Sequence, residues 1–463
     1  MAVPGRVSIV LHTHMPYVEG FGTWPFGEEW LWEAVATSYL PLADLLDEGA
    51  PLTLSLTPVC ADQLEDRDAM DRCAAFLREV RPASHRLDVE AFVEAGEPEL
   101  AAEIERATGQ YREALGALEA CGGDVIGRLA PHVAWTSSAT HAILPLLATD
   151  AGVRLQVQTG IAAHRRRFGE RWRGGFWLPE CAWEPGLGPL LAEAGVTGAC
   201  VELTAAFPAG DRRHLEILRA PDGPLLAPID RELIDLVWGA GGYPSGPAYR
   251  DNHNRTARDH RPWANDGSVY DAGRASAQAR EDAAAFAARV QERVAGGGHC
   301  TLAFDTELFG LWWHEGVDFL AALAGELAGL GVDLVALDDA LEGAAGAPWP
   351  AQADGATSWG AGGRLRTWSG PRVADIAFAL RGAELDVVAA GTGVTARAAR
   401  ELLAVQSSDW AFMVDGELAG PYPRERLEAH LACLREELGP VPSLDPALRN
   451  LAPDLALAAL FEP

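Results

Sequence analysis

Short apolar runs at three places in this 463-residue chain end directly in side chains that can do chemistry. His12 and His14 follow the first run. Glu180 follows the second run, and Asp305 follows the third. Glycosyl transfer needs two carboxyl groups, one as the nucleophile and one as the proton donor, so this set is typical of an enzyme that acts on sugars.

Tryptophans accompany both carboxyl groups. Two of them flank Glu180 along the chain, and two more follow Asp305 by about two helical turns. Flat aromatic faces beside carboxylates suit a sugar, whose C–H face stacks while its hydroxyl groups bind charged side chains. The four residues are Trp177, Trp183, Trp312 and Trp313.

Each of these residues also has a structural interpretation. A histidine of a His-x-His pair can be a buried core group, Asp305 can cap a helix, and most tryptophans fill cores. His12, His14 and Asp305 could alternatively form a metal hydrolase site, although a third zinc ligand is not evident in the sequence. The combination of two carboxyl groups with several tryptophans favours a sugar site.

The elements that position these side chains are predicted from the hydropathy pattern. Apolar runs of four to six residues predict buried strands at 7–11, 52–57, 175–178, 199–203 and 300–304. Amphipathic stretches predict helices at 61–80, 98–120, 188–194 and 274–294. Buried strands that alternate with helices predict a parallel sheet, either open or closed into a barrel. In a barrel the carboxyl ends of the strands meet on one face, which brings the three chemical segments together.

Two units are predicted from the composition along the chain. Residues 1–345 form the predicted barrel unit, with a helical insertion around 61–120 and a lid loop around 239–273 that is rich in Gly, Pro, Asn, Asp and Arg. Residues 346–463 form the second unit, which begins in a Gly- and Pro-rich break. This unit is predicted to be all-helical, because helical spacing recurs at 373–381, 396–413, 424–438 and 445–460.

The charge and the cysteines disfavour several classes of function. Lys and Arg number 37 against 66 Asp and Glu, a net charge of −29, which disfavours phosphate backbones and anionic membranes as partners. The seven cysteines are scattered and form no CxxC pair, which favours reduced thiols in a cytoplasmic protein. The first apolar run is too short for a signal sequence, and no run is long enough to span a membrane.

Seven longer motifs resemble glycoside hydrolases of family fifty-seven and, among them, the α-1,4-glucan branching enzymes. They are HTHMPYV (12–18), FGEEWLWEA (26–34), WLPECAW (177–183), GGYPSGPAYRD (241–251), FDTELFGLWWHEG (304–316), TSWGAGG (357–363) and QSSDWAF (406–412). The likeness runs from Val7 to about Met413. It implies an α/β fold: a (β/α)7 barrel with a helical insertion, followed by an all-helical C-terminal domain that completes the cleft.

The resemblance also implies roles for individual residues. Glu180 would be the nucleophile, and Asp305 would be the general acid/base. His12 and His14 would hold the sugar at the cleavage subsite. Tyr243 matches a lid-loop tyrosine that would shield the glycosyl-enzyme from water. Three further residues would bind the glucan, and they are Trp359, Trp368 and Asp409.

The activity implied by the resemblance is a retaining double displacement that cleaves an α-1,4 bond of a glucan. Transfer of the glycosyl group to a 6-hydroxyl forms an α-1,6 branch, whereas transfer to water is hydrolysis. The partners would be α-1,4-glucan donor and acceptor chains, not nucleic acid or a membrane. No cofactor is implied, because glycosyl transfer between sugars needs neither a metal nor a nucleotide.

Three departures from the family pattern bear on the acceptor. Leu311 stands where branching enzymes of this type usually have histidine. The span between Tyr249 and Phe286 is shorter than in relatives, and DAAAF (282–286) stands where relatives typically read HAGNF. These changes leave three alternatives open: a 4-α-glucanotransferase, an amylase-like α-glucan hydrolase, or a catalytically silent glucan-binding homologue.

Overall fold

The structure is a computed structural model that describes residues 5–439 and 448–462. Its frame is a set of seven parallel β-strands that are buried along most of their length. They are β1 (Arg6–Thr13), β2 (Thr53–Leu56), β3 (Val133–Ser137), β4 (Gly175–Trp177), β5 (Gly198–Val201), β6 (Leu225–Pro228) and β7 (His299–Asp305). Burial on both faces explains why several of these strands read as continuous apolar runs.

The seven strands close into a barrel. They lie side by side in the order β6, β5, β4, β3, β2, β1 and β7, and every neighbouring pair is parallel. Ile229, directly after β6, forms a parallel bridge with Thr301 of β7, and the Asp230 N–H donates to the Thr301 carbonyl at 2.8 Å. The expected (β/α)7 barrel is confirmed. Three short strands extend the sheet outside the ring: Leu218–Arg219, Asp333–Leu334 and Ala347–Pro348.

Strands β3 and β6 are not predicted by the hydropathy pattern. β3 ends in Thr136 and Ser137, which are buried because their hydroxyls donate to the carbonyls of Gly160 (3.1 Å) and Trp177 (2.9 Å). β6 is four residues long and ends in proline, so its apolar signal is brief. Hydrogen bonding of polar side chains inside the barrel therefore hides part of the pattern.

Helices cover the outside of the barrel. Those outside the insertion are Glu28–Ala34, Leu40–Asp47, Asp150–Phe168, Leu187–Glu193, Arg231–Trp238, Ala272–Val294, Gly316–Gly329 and Leu337–Leu341, with a π-helical turn at Val35–Tyr39. Short 3₁₀ turns lie at Leu144–Leu146, Gly169–Arg171, Pro179–Cys181, Arg212–Leu215, Tyr243–Ser245 and Thr306–Leu308. The helices predicted at 188–194 and 274–294 are confirmed to within two residues.

A helical insertion separates β2 from β3. Its helices are Pro58–Glu65, Arg67–Ala75, Arg81–Glu94, Pro98–Ala120 and Val125–Leu129, with a π-helical turn at Phe76–Val80. The single helix predicted over 61–80 is wrong, because the chain is extended at Asp66 (φ −72°, ψ 117°). The Asp66 carboxylate accepts from the Ala69 N–H at 2.7 Å and so caps a new helix.

The predicted lid loop is irregular but ordered by its own contacts, and it ends at Asp271. Two antiparallel bridges, Arg250 with Ala264 and Trp263 with Val269, fold it back on itself. Asp271 caps the next helix by accepting from the Arg274 N–H at 2.8 Å, so residues 272 and 273 are helical. The lid loop therefore comprises residues 239–271.

The C-terminal part of the chain, after a 3₁₀ turn at Ala361–Gly363, is helical. Its α-helices are Arg366–Ser369, Ala374–Ala390, Ala396–Val405, Ser408–Asp415 and Tyr422–Glu437, with 3₁₀ turns at Gly391–Gly393 and Leu457–Phe461. Its core is continuous with barrel-unit residues such as Tyr17, Val59 and Leu155, so this helical unit packs directly on the barrel. In the described part of the chain no helix combines the length and apolarity that a membrane span requires.

The helix predicted at 445–460 is wrong wherever the structure describes it. Residues 448–456 contain no helix, and only a 3₁₀ turn follows them; residues 445–447 lie outside the described residues. The backbone N–H of Ala452 donates to the Asp62 carboxylate at 2.7 Å, and that of Ala456 donates to Thr159 Oγ1 at 3.1 Å. These contacts with the barrel unit replace intrahelical hydrogen bonds.

Candidate active site

A cleft of about 1150 Å³ lies between the carboxyl ends of the barrel strands and the helical unit. Seven of the eight residues expected at the site line it, although they come from opposite ends of the sequence. They are His12, His14, Glu180, Asp305, Trp359, Trp368 and Asp409. Tyr243 is the exception.

Glu180 sits on a strained turn directly after β4. Its backbone is in the left-handed region (φ 58°, ψ 26°), and Cys181 follows with φ 50°. Such a conformation costs about 1–3 kcal/mol per residue and occurs chiefly where function requires a side chain in one place. The Trp359 indole N–H donates to Glu180 Oε2 at 2.5 Å, and the Trp359 backbone N–H donates to the Glu180 carbonyl at 2.9 Å.

Asp305 is the last residue of β7. Its side chain makes no hydrogen bond with any residue in 5–439 or 448–462, in contrast to Glu180. The pKa of Asp305 is raised to about 7, mainly by burial; the nearby carboxylates of Glu307 and Asp409 contribute to this increase, and His14 opposes it. A carboxyl group with no donor aimed at it is favoured in its neutral form.

The two carboxyl groups influence each other. The pKa of Glu180 is raised to about 8, mainly by burial; the Trp359 N–H limits this increase, and Asp305 contributes to it. Since both pKa values are raised, the pair shares a proton near neutral pH. The pKa of Glu180 is the higher of the two, so the pKa values do not by themselves put the proton on Asp305. The donors that face Glu180 favour its ionised form, and we assign the shared proton to Asp305 on this hydrogen bonding.

A chain of neutral imidazoles leads to Glu180. His12 Nε2 lies 2.9 Å from His141 Nε2, His141 Nδ1 lies 2.8 Å from Ser408 Oγ, and Ser408 Oγ lies 3.4 Å from Glu180 Oε1. If Ser408 donates to the carboxylate, His141 Nδ1–H must donate to Ser408, and His12 Nε2–H must donate to His141 Nε2. With this assignment each of these hydrogen bonds has one donor and one acceptor. Burial lowers the pKa of both histidines well below the usual range, as this chain of neutral rings requires.

The histidine rings form a stack on the floor of the cleft. His12 stacks on Trp177 with ring centroids 4.4 Å apart, and His14 stacks on His141 at 4.1 Å. His141 is not identified from the sequence, because it follows β3, the strand that the hydropathy pattern does not predict. Its positive φ of 60° turns the ring into the cleft, as the positive φ of Glu180 turns its carboxylate.

His14 and Asp409 form an ion pair across the two units of the chain. His14 Nε2 lies 2.9 Å from Asp409 Oδ2, and His14 Nδ1 lies 3.1 Å from Thr57 Oγ1. Burial opposes the charge of His14, but Asp409 outweighs it and the pKa of His14 is raised. The pKa of Asp409 falls to about 2 despite its burial, because His14 and the Ser407 hydroxyl favour the carboxylate.

A break in a predicted helix positions the groups from the helical unit. The helix predicted at 396–413 is two helices, Ala396–Val405 and Ser408–Asp415. At the break Ser407 pairs with Ala142 of the barrel unit, and the Ser408 N–H donates to the His141 carbonyl at 3.2 Å. The second helix therefore starts at the cleft and presents its first side chains to it.

Glu307 is a third buried carboxyl group beside the pair. Its Oε1 accepts from the Tyr39 hydroxyl at 2.5 Å and from the His14 backbone N–H at 3.1 Å. Burial raises its pKa to about 7, while these two donors favour the ionised form. The sequence motif around Asp305 contains Glu307, but nothing in the spacing indicates its role.

The two tryptophans from the C-terminal part occupy different positions. Trp359 stands beside Glu180, and its carbonyl accepts from Arg231 at 3.0 Å, which helps to fix the segment that carries it. Trp368 is buried (3% exposed) and packs so tightly on Gly360 that a Cβ there would lie 2.6 Å from its ring. Trp359 and Trp368 both line the cleft, and Trp359 lies on the side of Glu180.

Tyr243 does not line the cleft in this structure. Its ring is half-buried, with its centroid 6.0 Å from those of Phe286 and of Phe319. The neighbouring lid residues Gly242 and Pro244 line the cleft instead. The shielding role of Tyr243 stays a prediction, and it requires the ring to leave this apolar contact.

The described ranges contain no group of three or more His, Cys, Asp or Glu side chains arranged to hold a metal ion. The nitrogens of the His-x-His pair already have other partners: His12 binds His141 and Ser55, and His14 binds Asp409 and Thr57. Among residues 5–439 and 448–462, the geometry thus supplies no third ligand for the alternative metal site.

Comparison with known proteins is consistent with this geometry. The model of glycosyl hydrolase family 57 matches residues 135–346, and a model of the C-terminal domain of 1,4-alpha-glucan branching enzymes matches residues 386–438. A relative from Mycobacterium tuberculosis, named "Probable 1,4-alpha-glucan branching enzyme", is 31% identical over 94% of this chain and 92% of its own length.

Two archaeal proteins are also similar. The 1,4-alpha-glucan branching enzyme of Thermococcus kodakarensis is 29% identical over 92% of this chain and 72% of its own length. The crystal structure of the family 57 branching enzyme from Pyrococcus horikoshii superposes with a TM-score of 0.85 at 29% identity, covering 93% of this chain and 89% of that chain. This chain belongs to glycosyl hydrolase family 57.

Proposed function

We propose that this chain is a 1,4-α-glucan branching enzyme that works by retaining double displacement. The observation that carries the proposal is the unequal hydrogen bonding of two carboxyl groups in one cleft. Glu180 accepts from Trp359 and Ser408, whereas the described residues offer Asp305 no donor. The relatives named as branching enzymes, 29% and 31% identical over more than nine-tenths of this chain, support the choice of reaction.

In the first step, ionised Glu180 attacks the anomeric carbon of a glucosyl unit, and protonated Asp305 gives its proton to the departing 4-oxygen. The C–O bond of the α-1,4 linkage breaks as the ester to Glu180 forms. The leaving chain keeps a new 4-hydroxyl. We assign His14 and Asp409 to hydroxyl groups of the reacting sugar, because both line the cleft that holds the two carboxyl groups.

In the second step, Asp305 is ionised and acts as the base. It removes the proton of a 6-hydroxyl on an acceptor glucan, and the oxygen attacks the anomeric carbon and displaces Glu180. Two inversions restore the α configuration, so the product is an α-1,6 branch. Water at the same place would give hydrolysis, so the outcome depends on excluding water while admitting an acceptor.

Hydrolysis of α-glucan is the second candidate function. Leu311 favours it, because this apolar side chain lines the cleft where relatives usually carry histidine, a group that can bind acceptor hydroxyls. The two candidates share the first step and differ only in the acceptor. A product analysis therefore separates them.

The test is incubation of the purified protein with amylose, with α-1,6 linkages and reducing ends counted together by proton NMR. We expect new α-1,6 signals with few new reducing ends. The Glu180→Gln variant should leave the amylose unchanged. Reducing ends without α-1,6 linkages would make the protein a hydrolase. Redistributed chain lengths without either signal would make it a 4-α-glucanotransferase.

A further inference from the structure

Two exposed tryptophans stand side by side at the mouth of the cleft, outside the catalytic cluster. Trp238 is 38% exposed and Trp312 is 40% exposed, and both line the cleft. Their ring centroids are 5.9 Å apart and their planes differ by 32°, so together they form a shallow aromatic wall. A contiguous exposed apolar surface of this kind in a polar cleft is typical of a ligand-binding groove.

The wall lies on the Asp305 side of the barrel. Trp312 is on the loop that follows Asp305, and its backbone N–H donates to the Glu307 carbonyl at 3.1 Å. Trp238 ends the helix after β6, the strand that adjoins β7. Glu180 follows β4, which is three strands from β7 in one direction around the ring and four in the other.

The lid loop completes this side of the cleft. Arg261 of the lid donates to the Leu311 carbonyl at 3.0 Å, which ties the lid to the loop that carries Trp312. Polar side chains of the lid, Asn252, His253 and Arg255, line the same cleft. Flat rings with hydroxyl-binding groups beside them suit a neutral carbohydrate chain.

We propose that Trp238 and Trp312 form the acceptor site, on which an α-1,4-glucan chain stacks while it presents a 6-hydroxyl to the glycosyl ester on Glu180. The inference rests on the proposed function and specifies where its second substrate binds. Asp305 must take the proton of the incoming hydroxyl, so the acceptor has to approach from the side of Asp305. The aromatic wall is the described surface on that side that offers a sugar two ring faces.

The test uses α-maltotriosyl fluoride as the donor and maltohexaose as the acceptor. Fluoride leaves without occupying the acceptor site, so fluoride release reports the first step, and NMR of the sugars reports the partition between transfer and hydrolysis. For Trp238→Ala and Trp312→Ala we expect the acceptor concentration for half-maximal transfer to rise about tenfold. Fluoride release without acceptor should change much less, and free maltotriose should increase.

Two further variants make the result decisive. Trp312→Phe keeps a ring face and should recover most of the acceptor affinity, which a purely structural role of the indole would not explain. Phe378→Ala removes an aromatic side chain that is 77% exposed but does not line the cleft, so its partition should match the wild type.

The proposal is overturned if both alanine variants keep the acceptor dependence of the wild type. It is also overturned if fluoride release falls in parallel with transfer, since that would place the two tryptophans in the first step or in the fold. Failure of the wild type to release fluoride, or to transfer to any glucan, would instead contradict the proposed function.

Discussion

At Glu180 the carboxylate faces two hydrogen-bond donors, and at Asp305 it faces none among the described residues. This difference assigns the chemistry of the two groups more clearly than their positions along the chain. Burial raises the pKa of both groups, and the two donors at Glu180 favour its ionised form. Substitutions of the residues next to these two carboxyl groups therefore test the assignment directly.

The Trp359→Phe variant removes the indole N–H but keeps an aromatic ring. A hydrogen bond to a charged group is worth about 1.5–3 kcal/mol, so we expect the first step to slow about 10- to 100-fold. Because the N–H lowers the pKa of Glu180, its loss should move the acidic limb of the pH–rate profile to higher pH. Trp172→Phe is the control, because the Trp172 N–H donates to the Gly175 carbonyl at 2.8 Å, outside the cleft. An unmoved acidic limb would contradict the role of Trp359.

The Glu307→Gln variant removes a negative charge beside Asp305. Burial is the main cause of the raised pKa of Asp305 and Glu307 is the next, so the variant should lower this pKa. The first step needs protonated Asp305, and the alkaline limb of kcat/KM should therefore move about one pH unit lower. Glu384→Gln, a buried glutamate of the helical unit away from Asp305, should leave the limb in place. A limb that moves equally in both variants would rule out a local effect.

His141 and Glu307 show where prediction from the sequence ends at this scale. Glu180 and Asp305 can be found because apolar strands precede them directly. His141 follows β3, whose buried threonine and serine hide the apolar signal. Glu307 lies in the motif that contains Asp305 (304–316), but its contact with Tyr39, 268 positions earlier in the chain, exists only in the folded barrel.

At the scale of elements, the helical insertion holds the lid loop. Asp88, on the helix Arg81–Glu94, is 3% exposed and accepts from three lid side chains. Thr256 Oγ1 lies 2.5 Å from it, an Arg258 guanidinium nitrogen 2.7 Å and His260 Nδ1 2.6 Å. The insertion thus anchors the distal part of the lid, while the segment near Gly242 lines the cleft.

The Asp88→Ala variant should loosen the lid, because it removes the carboxylate that accepts from three lid side chains, and a hydrogen bond to a charged group is worth about 1.5–3 kcal/mol. We expect a higher ratio of hydrolysis to transfer, and faster trypsin cleavage after Arg255 and Arg258. Glu90→Ala, an exposed position on the same helix, is the matched control. Unchanged cleavage together with an unchanged ratio would show that the insertion does not hold the lid.

Elements were predictable where periodicity is strong and local. The helix Pro98–Ala120 has the predicted bounds, and five of the seven barrel strands carry apolar runs. The break at residues 406 and 407 and the irregular segment 448–456 are set by contacts with the barrel unit, which lie far away in sequence. Such contacts leave no periodic signal.

At the scale of the whole molecule, the cleft is built jointly by two units. The barrel supplies both carboxyl groups and the histidine stack, and the helical unit supplies Ser408 and Asp409, which bind His141 and His14. The topology of a parallel barrel predicts that the three chemical segments converge. The side of the cleft that the helical unit covers follows only from the packing of the two units.

The central claim is that Glu180 is the nucleophile and Asp305 the acid/base of a retaining site. It is tested most directly by azide rescue with α-maltotriosyl fluoride, with the anomeric configuration of the product read by NMR. In Glu180→Ala, azide should displace fluoride from the α-fluoride donor in a single inverting step and give the β-azide.

In Asp305→Ala, the ester on Glu180 should still form, because fluoride leaves without protonation, and azide should then give the α-azide. An α-azide from Glu180→Ala together with a β-azide from Asp305→Ala would mean that Asp305 is the nucleophile and Glu180 the acid/base. No azide product from either variant, with an active wild type, would contradict the assignment of both residues.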